Sequence, residues 1–163
     1  MTRPLPPAPA VVAIGANLGD TERMVDEAVR ALAALPLTAL LRASDTIETI
    51  AVRLDGPDPD APRYRNAVAL LETLLGPSAL LAELHRIEAE HGRVRRERWG
   101  DRTLDLDLIS YGEVSSDDPA LLLPHPRAHE RTFVLEPWLQ LDPQARLPGI
   151  GSVAEALRSL DHR

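Results

Sequence analysis

Apolar residues in this chain repeat with two different periods, and the order in which those periods alternate restricts the fold to a narrow set. Ala10 to Ile14 is a short apolar run ending at Gly15, as in a buried strand. Asp20 then suits an N-cap and Glu22 a first helical turn. Met24, Val25, Ala28, Val29 and Leu32 follow at helical spacing, and Pro36 closes the segment. Leu37 to about Val52 is extended in character, with Thr46, Ile47, Thr49, Ile50 and Val52 supplying β-branched residues. Tyr64 to Thr73 reads as a further strand. Gly76-Pro77-Ser78 starts a second helix that turns Leu80, Leu81, Leu84 and Ile87 inward and stops at Gly92. Thr103 to Tyr111 alternates as the last of the strands.

The resulting order, β-α-β-β-α-β, predicts an α+β fold: a ferredoxin-like sandwich on an antiparallel sheet. A helical stretch over 128–135 and a capping box, Ser152-Val153-Ala154-Glu155, add helices at the C-terminal end. Residues 53–63 and 112–124 read as loops. No repeat and no linker separates two cores, so 10–163 is expected to be one domain behind a frayed, proline-rich tail, 1–9. That tail has no apolar segment of the kind a secretory signal needs. With aromatics at 3% of residues, the core must be built from Leu, Val, Ile and Ala. No apolar run approaches the ~18 residues that span a bilayer. A cytoplasmic monomer is the expectation.

Composition removes several chemistries. All 18 basic residues are arginine, against 25 acidic ones, for a net charge of -7, and the chain has no cysteine. Lacking lysine, it has no P-loop lysine and no Schiff-base amine. Lacking cysteine, it has no thiolate nucleophile, disulfide framework or cysteine-ligated zinc. The acidic balance also argues against nucleic acid or an anionic membrane as partner.

What remains points to phosphate. In Leu104-Asp105-Leu106-Asp107-Leu108 the leucines face one side of a strand and the aspartates the other, about 7 Å apart at their Cα atoms. Two such carboxylates repel unless a cation lies between them, and Mg²⁺ suits hard oxygen ligands. Taken alone, the pair is equally well explained as the polar outer face of an amphipathic strand. Upstream, however, Arg93, Arg95, Arg96, Arg98 and Arg102 face only Glu97 and Asp101, a local charge of +3. Guanidinium forks beside a carboxylate pair describe a site for a metal-bound polyphosphate.

Other residues are less specific. Tyr64 and Asn66 share a strand face, and an Asn amide both donates and accepts, as reading a heterocycle's edge requires. A satisfied surface amide explains Asn66 equally simply. Phe133 suits either the core or a stacking platform, and His125, between two prolines, reads as an ordinary loop residue. Gly15 to Asp20 lacks a phosphate-loop pattern and reads as a capped strand-to-helix turn. Glu88 lies on the flank of the second helix, toward either a site or solvent.

In order, the stretches Ala13-Ile14-Gly15-Ala16-Asn17-Leu18-Gly19-Asp20, Tyr64-Arg65-Asn66-Ala67-Val68, Arg86-Ile87-Glu88, Gly92-Arg93-Val94-Arg95, Arg98-Trp99-Gly100-Asp101-Arg102-Thr103-Leu104-Asp105-Leu106-Asp107 and 123–135 resemble the hydroxymethyldihydropterin pyrophosphokinase family of folate biosynthesis. The resemblance covers nearly the whole chain after the tail. It implies transfer of the pyrophosphoryl group of ATP to 6-hydroxymethyl-7,8-dihydropterin, leaving AMP. It further implies that Asp105 and Asp107 hold two Mg²⁺ ions, and that Arg93 and Arg102 neutralise the transferred group. Thr49, Tyr64, Asn66 and Phe133 would bind the pterin. Glu88, Arg95, Trp99, Arg102, His125 and Arg131 would bind ATP.

The chain departs from the family pattern at Ile50-Ala51-Val52-Arg53, where prolines and a glycine usually rim the pterin. It departs again at Asp101, whose charge beside Arg102 is expected to weaken phosphate binding modestly. The competing readings are a non-catalytic regulatory module and an RNA-binding one. The latter would need exposed aromatics on two central strands and a basic surface.

Overall fold

The computed structural model describes residues 6–17, 20–50, 52–53, 56–57, 63–93 and 104–161. Its elements are β1 (Ala8–Ala16), α1 (Thr21–Ala33), β2 (Thr38–Ala43), β3 (Ile47–Ile50), β4 (Val52–Arg53), β5 (Gly56–Pro57), β6 (Arg63–Thr73), α2 (Pro77–Arg93), β7 (Leu104–Tyr111), β8 (Ser116–Asp118), β9 (Leu121–Leu123), a 3-10 turn (Ala128–Glu130), α3 (Thr132–Leu141), β10 (Arg146–Leu147), β11 (Gly151–Ser152) and α4 (Val153–Asp161). The main sheet runs β2-β6-β1-β7, with β3 pairing the other end of β6, and every one of its ladders is antiparallel. This is the ferredoxin-like arrangement expected from the order of periods.

One face of the sheet meets α1 and α2. Val25, Ala28 and Leu32 of α1 and Leu80, Leu84 and Ile87 of α2 pack on Val12, Ile14, Ala67, Ala69, Leu104, Leu106 and Leu108, all buried. The small alanines of β1 and β6 lie under α1, while α2 packs on β7. Asp20 caps α1 as predicted, its carboxylate accepting from the Arg23 N–H at 3.1 Å. The opposite face carries a second core, in which Val11, Val68 and Ile109 meet Ala128, Val134, Leu135, Trp138 and Val153. The C-terminal helices therefore cover one half of that face. The other half presents Gly15, Tyr64, Asn66, Asp105 and Asp107.

Several boundaries differ from the sequence reading for identifiable reasons. β1 begins at Ala8, because Ala8 and Pro9 continue the ladder to Thr73 and Glu72. The extended stretch after Leu37 divides into two strands at Ser44, whose N–H donates to the Val68 carbonyl while its hydroxyl accepts from the Val68 N–H, each at 2.9 Å. β7 alternates only as far as Leu108. A bulge opposite Val11 and Val12 then leaves Leu108, Ile109 and Ser110 buried in succession. The predicted loop 112–124 contains the β8–β9 hairpin, turned by Asp118 accepting from the Ala120 N–H at 2.9 Å. Across the start of the other predicted loop, Val52 and Arg53 pair with Pro57 and Gly56. The helical stretch at 128–135 is broken at Arg131, whose dihedrals are extended (φ −113°, ψ 102°).

Candidate active site

The uncovered half-face is organised by register. Gly15 of β1 lies opposite Asn66 of β6 on one side and Asp105 of β7 on the other, and Ala13 lies opposite Val68 and Asp107. Side chains two residues apart share a face, so the Asn66 amide and the two carboxylates point the same way, with β1 between them. Gly15 keeps that gap narrow: a Cβ there would lie 3.3 Å from Asn66 Oδ1. Asn66 is buried, and its Nδ2 donates to Thr49 Oγ1 on β3 at 2.8 Å. The amide that sequence reasoning weighed as a plain surface residue is thus held in one orientation. Tyr64 and Thr49, in register across β3 and β6, are half-buried beside it.

Across the strand, Asp105 and Asp107 are half-buried, while Leu104, Leu106 and Leu108 sit in the helix-side core, as the alternation predicted. Arg131 reaches in from the break before α3. Its Nη1 lies 3.5 Å from Asp107 Oδ2, and its guanidinium carbon stands 5.6 Å from the centroid of the Phe133 ring. Phe133 is half-buried, fringing the second core while facing this arginine. The helix break therefore brings an aromatic ring and a cation to the aspartates. An unbroken helix from Ala128 would have carried Arg131 elsewhere.

His125 is fixed near the same carboxylate, with its N–H donating to the Ile109 carbonyl at 2.8 Å and its Nδ1 accepting from the Arg127 N–H at 3.2 Å. Burial holds its imidazolium pKa below the ordinary value; Asp107 opposes that shift, and Arg131 and Arg127 reinforce it. On the helix side, a Glu88 carboxylate oxygen accepts from the Leu106 N–H at 2.8 Å, tying α2 to β7 between the two aspartates. Next to Asp107 lies a cavity of about 220 Å³, lined by Leu81 and His85 of α2, Leu108, Leu122, His125 and Pro126. Sequence reasoning missed His85 altogether; Leu81, expected in the core, does pack against it and also lines this cavity. Their helical spacing carried no sign that the β8–β9 hairpin would stand across from them.

Asp105 and Asp107 suit a hard divalent cation. They offer oxygen donors from one strand face, and no cluster of three His, Asp or Glu residues forms among the described residues. Mg²⁺ accepts such a site, taking one or two carboxylates and completing its shell with phosphate and water. Of the remaining expected residues, Arg93 ends α2, and its side chain lies outside the described residues. Arg95, Trp99, Asp101 and Arg102 also lie outside them, as does Ala51 of the altered rim.

The family model described as 7,8-dihydro-6-hydroxymethylpterin-pyrophosphokinase (HPPK) matches residues 11–143. The chain is 39% identical over 155 residues to a 2-amino-4-hydroxy-6-hydroxymethyldihydropteridine pyrophosphokinase of Haemophilus influenzae, covering 94% of each. It is 44% identical over 137 residues to the Pseudomonas aeruginosa protein of the same name, covering 84% of this chain and 82% of that one. Among solved structures, a Plasmodium falciparum HPPK-DHPS has the same fold, with a TM-score of 0.71 at 11% identity. That match covers 94% of this chain, which spans only 45% of the longer protein. The match to the family model and the identity to these relatives establish that the chain belongs to the 7,8-dihydro-6-hydroxymethylpterin-pyrophosphokinase family.

Proposed function

We propose that the chain transfers the pyrophosphoryl group of ATP to the hydroxymethyl oxygen of 6-hydroxymethyl-7,8-dihydropterin, forming the pterin diphosphate and AMP in folate biosynthesis. The observation that carries this reading is the register about Gly15. A heterocycle-reading amide and a carboxylate pair flank one strand, roughly 10 Å apart by two strand spacings. A bicyclic pterin held at Asn66 spans such a distance and directs its hydroxymethyl arm toward the aspartates.

In this reading Asn66 hydrogen-bonds the pterin edge, with Thr49 fixing the amide and Tyr64 and Phe133 stacking on the ring faces. Asp105 and Asp107 would hold Mg²⁺, which when bound neutralises phosphate charge and lowers the pKa of the acceptor alcohol. The alcohol oxygen forms a bond to the β-phosphorus as the bond from that phosphorus to the α–β bridging oxygen breaks; AMP departs and the alcohol proton passes to solvent. Phosphoryl transfer of this kind needs positioning and charge neutralisation more than a protein nucleophile. Arg131 suits the second task beside Asp107, together with Arg93 and Arg102. His125, Glu88, Arg95 and Trp99 complete the nucleotide side, and the apolar cavity between α2 and β9 suits the base.

The RNA-binding alternative lacks its requirements. The two central strands, β1 and β6, carry one aromatic residue between them, Tyr64. Incubation with ATP, Mg²⁺ and hydroxymethyldihydropterin is expected to yield AMP and the pterin diphosphate in equal amounts. Release of ADP, or no turnover at saturating substrates, would overturn the proposal.

A further inference from the structure

We infer that Arg65 is a positioning residue for the pterin: it clamps strand β3 so that Thr49 stays in place to orient Asn66. The inference rests on the assignment of the Thr49–Asn66 pair to the pterin. β3 is four residues long, and its ladder is to β6, where Glu48 lies directly opposite Arg65, Thr49 opposite Tyr64 and Ile47 opposite Asn66. So short a strand at the end of a sheet is held weakly by backbone pairing alone.

Side chains on its two sides supply the rest. On the pterin side, Asn66 Nδ2 donates to Thr49 Oγ1 at 2.8 Å. On the other, the Arg65 guanidinium gathers residues of two segments, the start of α1 and the stretch through β3. Its Nε donates to Thr21 Oγ1 at 3.2 Å and its Nη1 to Thr46 Oγ1 at 3.0 Å. Carboxylate oxygens of Glu22 and Glu48 lie 3.8 and 3.9 Å from Nη1 and Nη2.

The partners are distributed to some purpose. Thr21 and Glu22 open α1, just after the chain leaves Gly15; Thr46 precedes β3; Glu48 is within it. One planar group therefore ties β3, which borders Asn66, to the start of α1. The Arg65 side chain is only 23% exposed, but Glu22 and Glu48 are 73% and 48% exposed and their charges well screened, so the part-buried bonds to Thr21 and Thr46 carry most of the clamp. A fork with donors in fixed directions serves two hydroxyls and two carboxylates at once, which a lysine ammonium on a flexible stem does not. Arg65 stands two strands away from Asp105 and Asp107, with β1 between. Its loss should therefore reach the pterin and spare the nucleotide.

The test compares wild type, Arg65→Met and Arg65→Lys in two measurements: steady-state kinetics with each substrate varied, and amide hydrogen exchange of the free protein. For Arg65→Met we expect a roughly ten-fold rise in KM for the pterin, with kcat and KM for ATP within about two-fold. Exchange should accelerate at Ile47–Ile50 and stay unchanged in β1 and β7. Arg65→Lys should fall between, and it carries the same comparison if the methionine variant does not fold. An unmoved pterin KM, equal rises in both KM values, or faster exchange across the whole sheet would overturn the inference. A wild-type chain that turns over neither substrate would overturn the functional reading instead. Exchange at β3 would still decide the clamp, and unchanged rates there would reject it.

Discussion

Gly15 and Asn66 face each other across β1 and β6 so closely that a Cβ on Gly15 would lie 3.3 Å from Asn66 Oδ1. That separation is tighter than ordinary van der Waals contact, so an alanine would push the amide aside by a few tenths of an ångström. The backbone itself has no objection, because β1 is an extended strand there. Gly15→Ala is expected to raise KM for the pterin roughly ten-fold while changing stability by less than about 1 kcal/mol. Kinetics beside thermal melts would check this; normal KM values would mean that Asn66 is not read by the substrate.

Thr49 accepts a hydrogen bond from a buried amide, so its hydroxyl should matter to stability as well as to binding. Thr49→Ala leaves Asn66 Nδ2 without that acceptor and is expected to cost about 1–3 kcal/mol. Thr49→Ser keeps the oxygen and should recover most of the loss. Urea unfolding of the two variants separates the hydroxyl from the methyl group; equal losses would remove the hydrogen bond from the account.

Asp107 is half-buried and beside Arg131, outside both cores. Asp107→Ala should leave the fold intact, with Tm within a few degrees of wild type, yet lower kcat by roughly a thousand-fold or more. Chelation of divalent cations should stop the wild-type enzyme, and added Mg²⁺ should restore it. Substantial turnover by the alanine variant would refute the metal assignment.

His125 makes a prediction about pH. Its pKa in the folded protein lies below the ordinary 6.5, chiefly because burial penalises the imidazolium. The unfolded chain therefore takes up this proton more readily than the folded one. The stability that neutral His125 contributes is complete above the unfolded value and is lost as pH falls through the lower folded one. The metal-free protein should lose Tm between about pH 7 and pH 5, and His125→Gln should lose less over that window. Parallel pH profiles for the two proteins would show that His125 does not contribute.

Much of the fold was legible in short stretches of chain. The periods of Val25-Ala28-Leu32 and Leu80-Leu84-Ile87 marked the buried faces of two helices, and Asp20 marked the start of one. Leu104 to Leu108 showed which side of a strand would be dry and which would carry carboxylates. These are local properties, set by the angle between successive side chains and by unpaired groups at helix ends, and they hold whatever the rest of the chain does. The run of arginines before Thr103 and the absence of lysine and cysteine narrowed the chemistry in the same way, since residue types do not depend on packing.

The relationships between segments belong to the tertiary structure. Nothing near Gly15 in the chain announces that it will lie between Asn66 and Asp105, because register is settled by hydrogen bonding and packing across the whole sheet. Arg65 acquires its partners only in the fold, which brings Thr21, Glu22, Thr46 and Glu48 around it. The break at Arg131 reads from sequence as continuous helix. It matters because the extended residue sets its guanidinium beside Asp107 and over the Phe133 ring at the uncovered half of the sheet face. Local pattern marked the apolar faces of the helices and strands, the charged residues and the order of the elements. The folded chain decided which of the polar ones meet, because contacts between distant segments are shared among many weak interactions and are not carried by any one stretch.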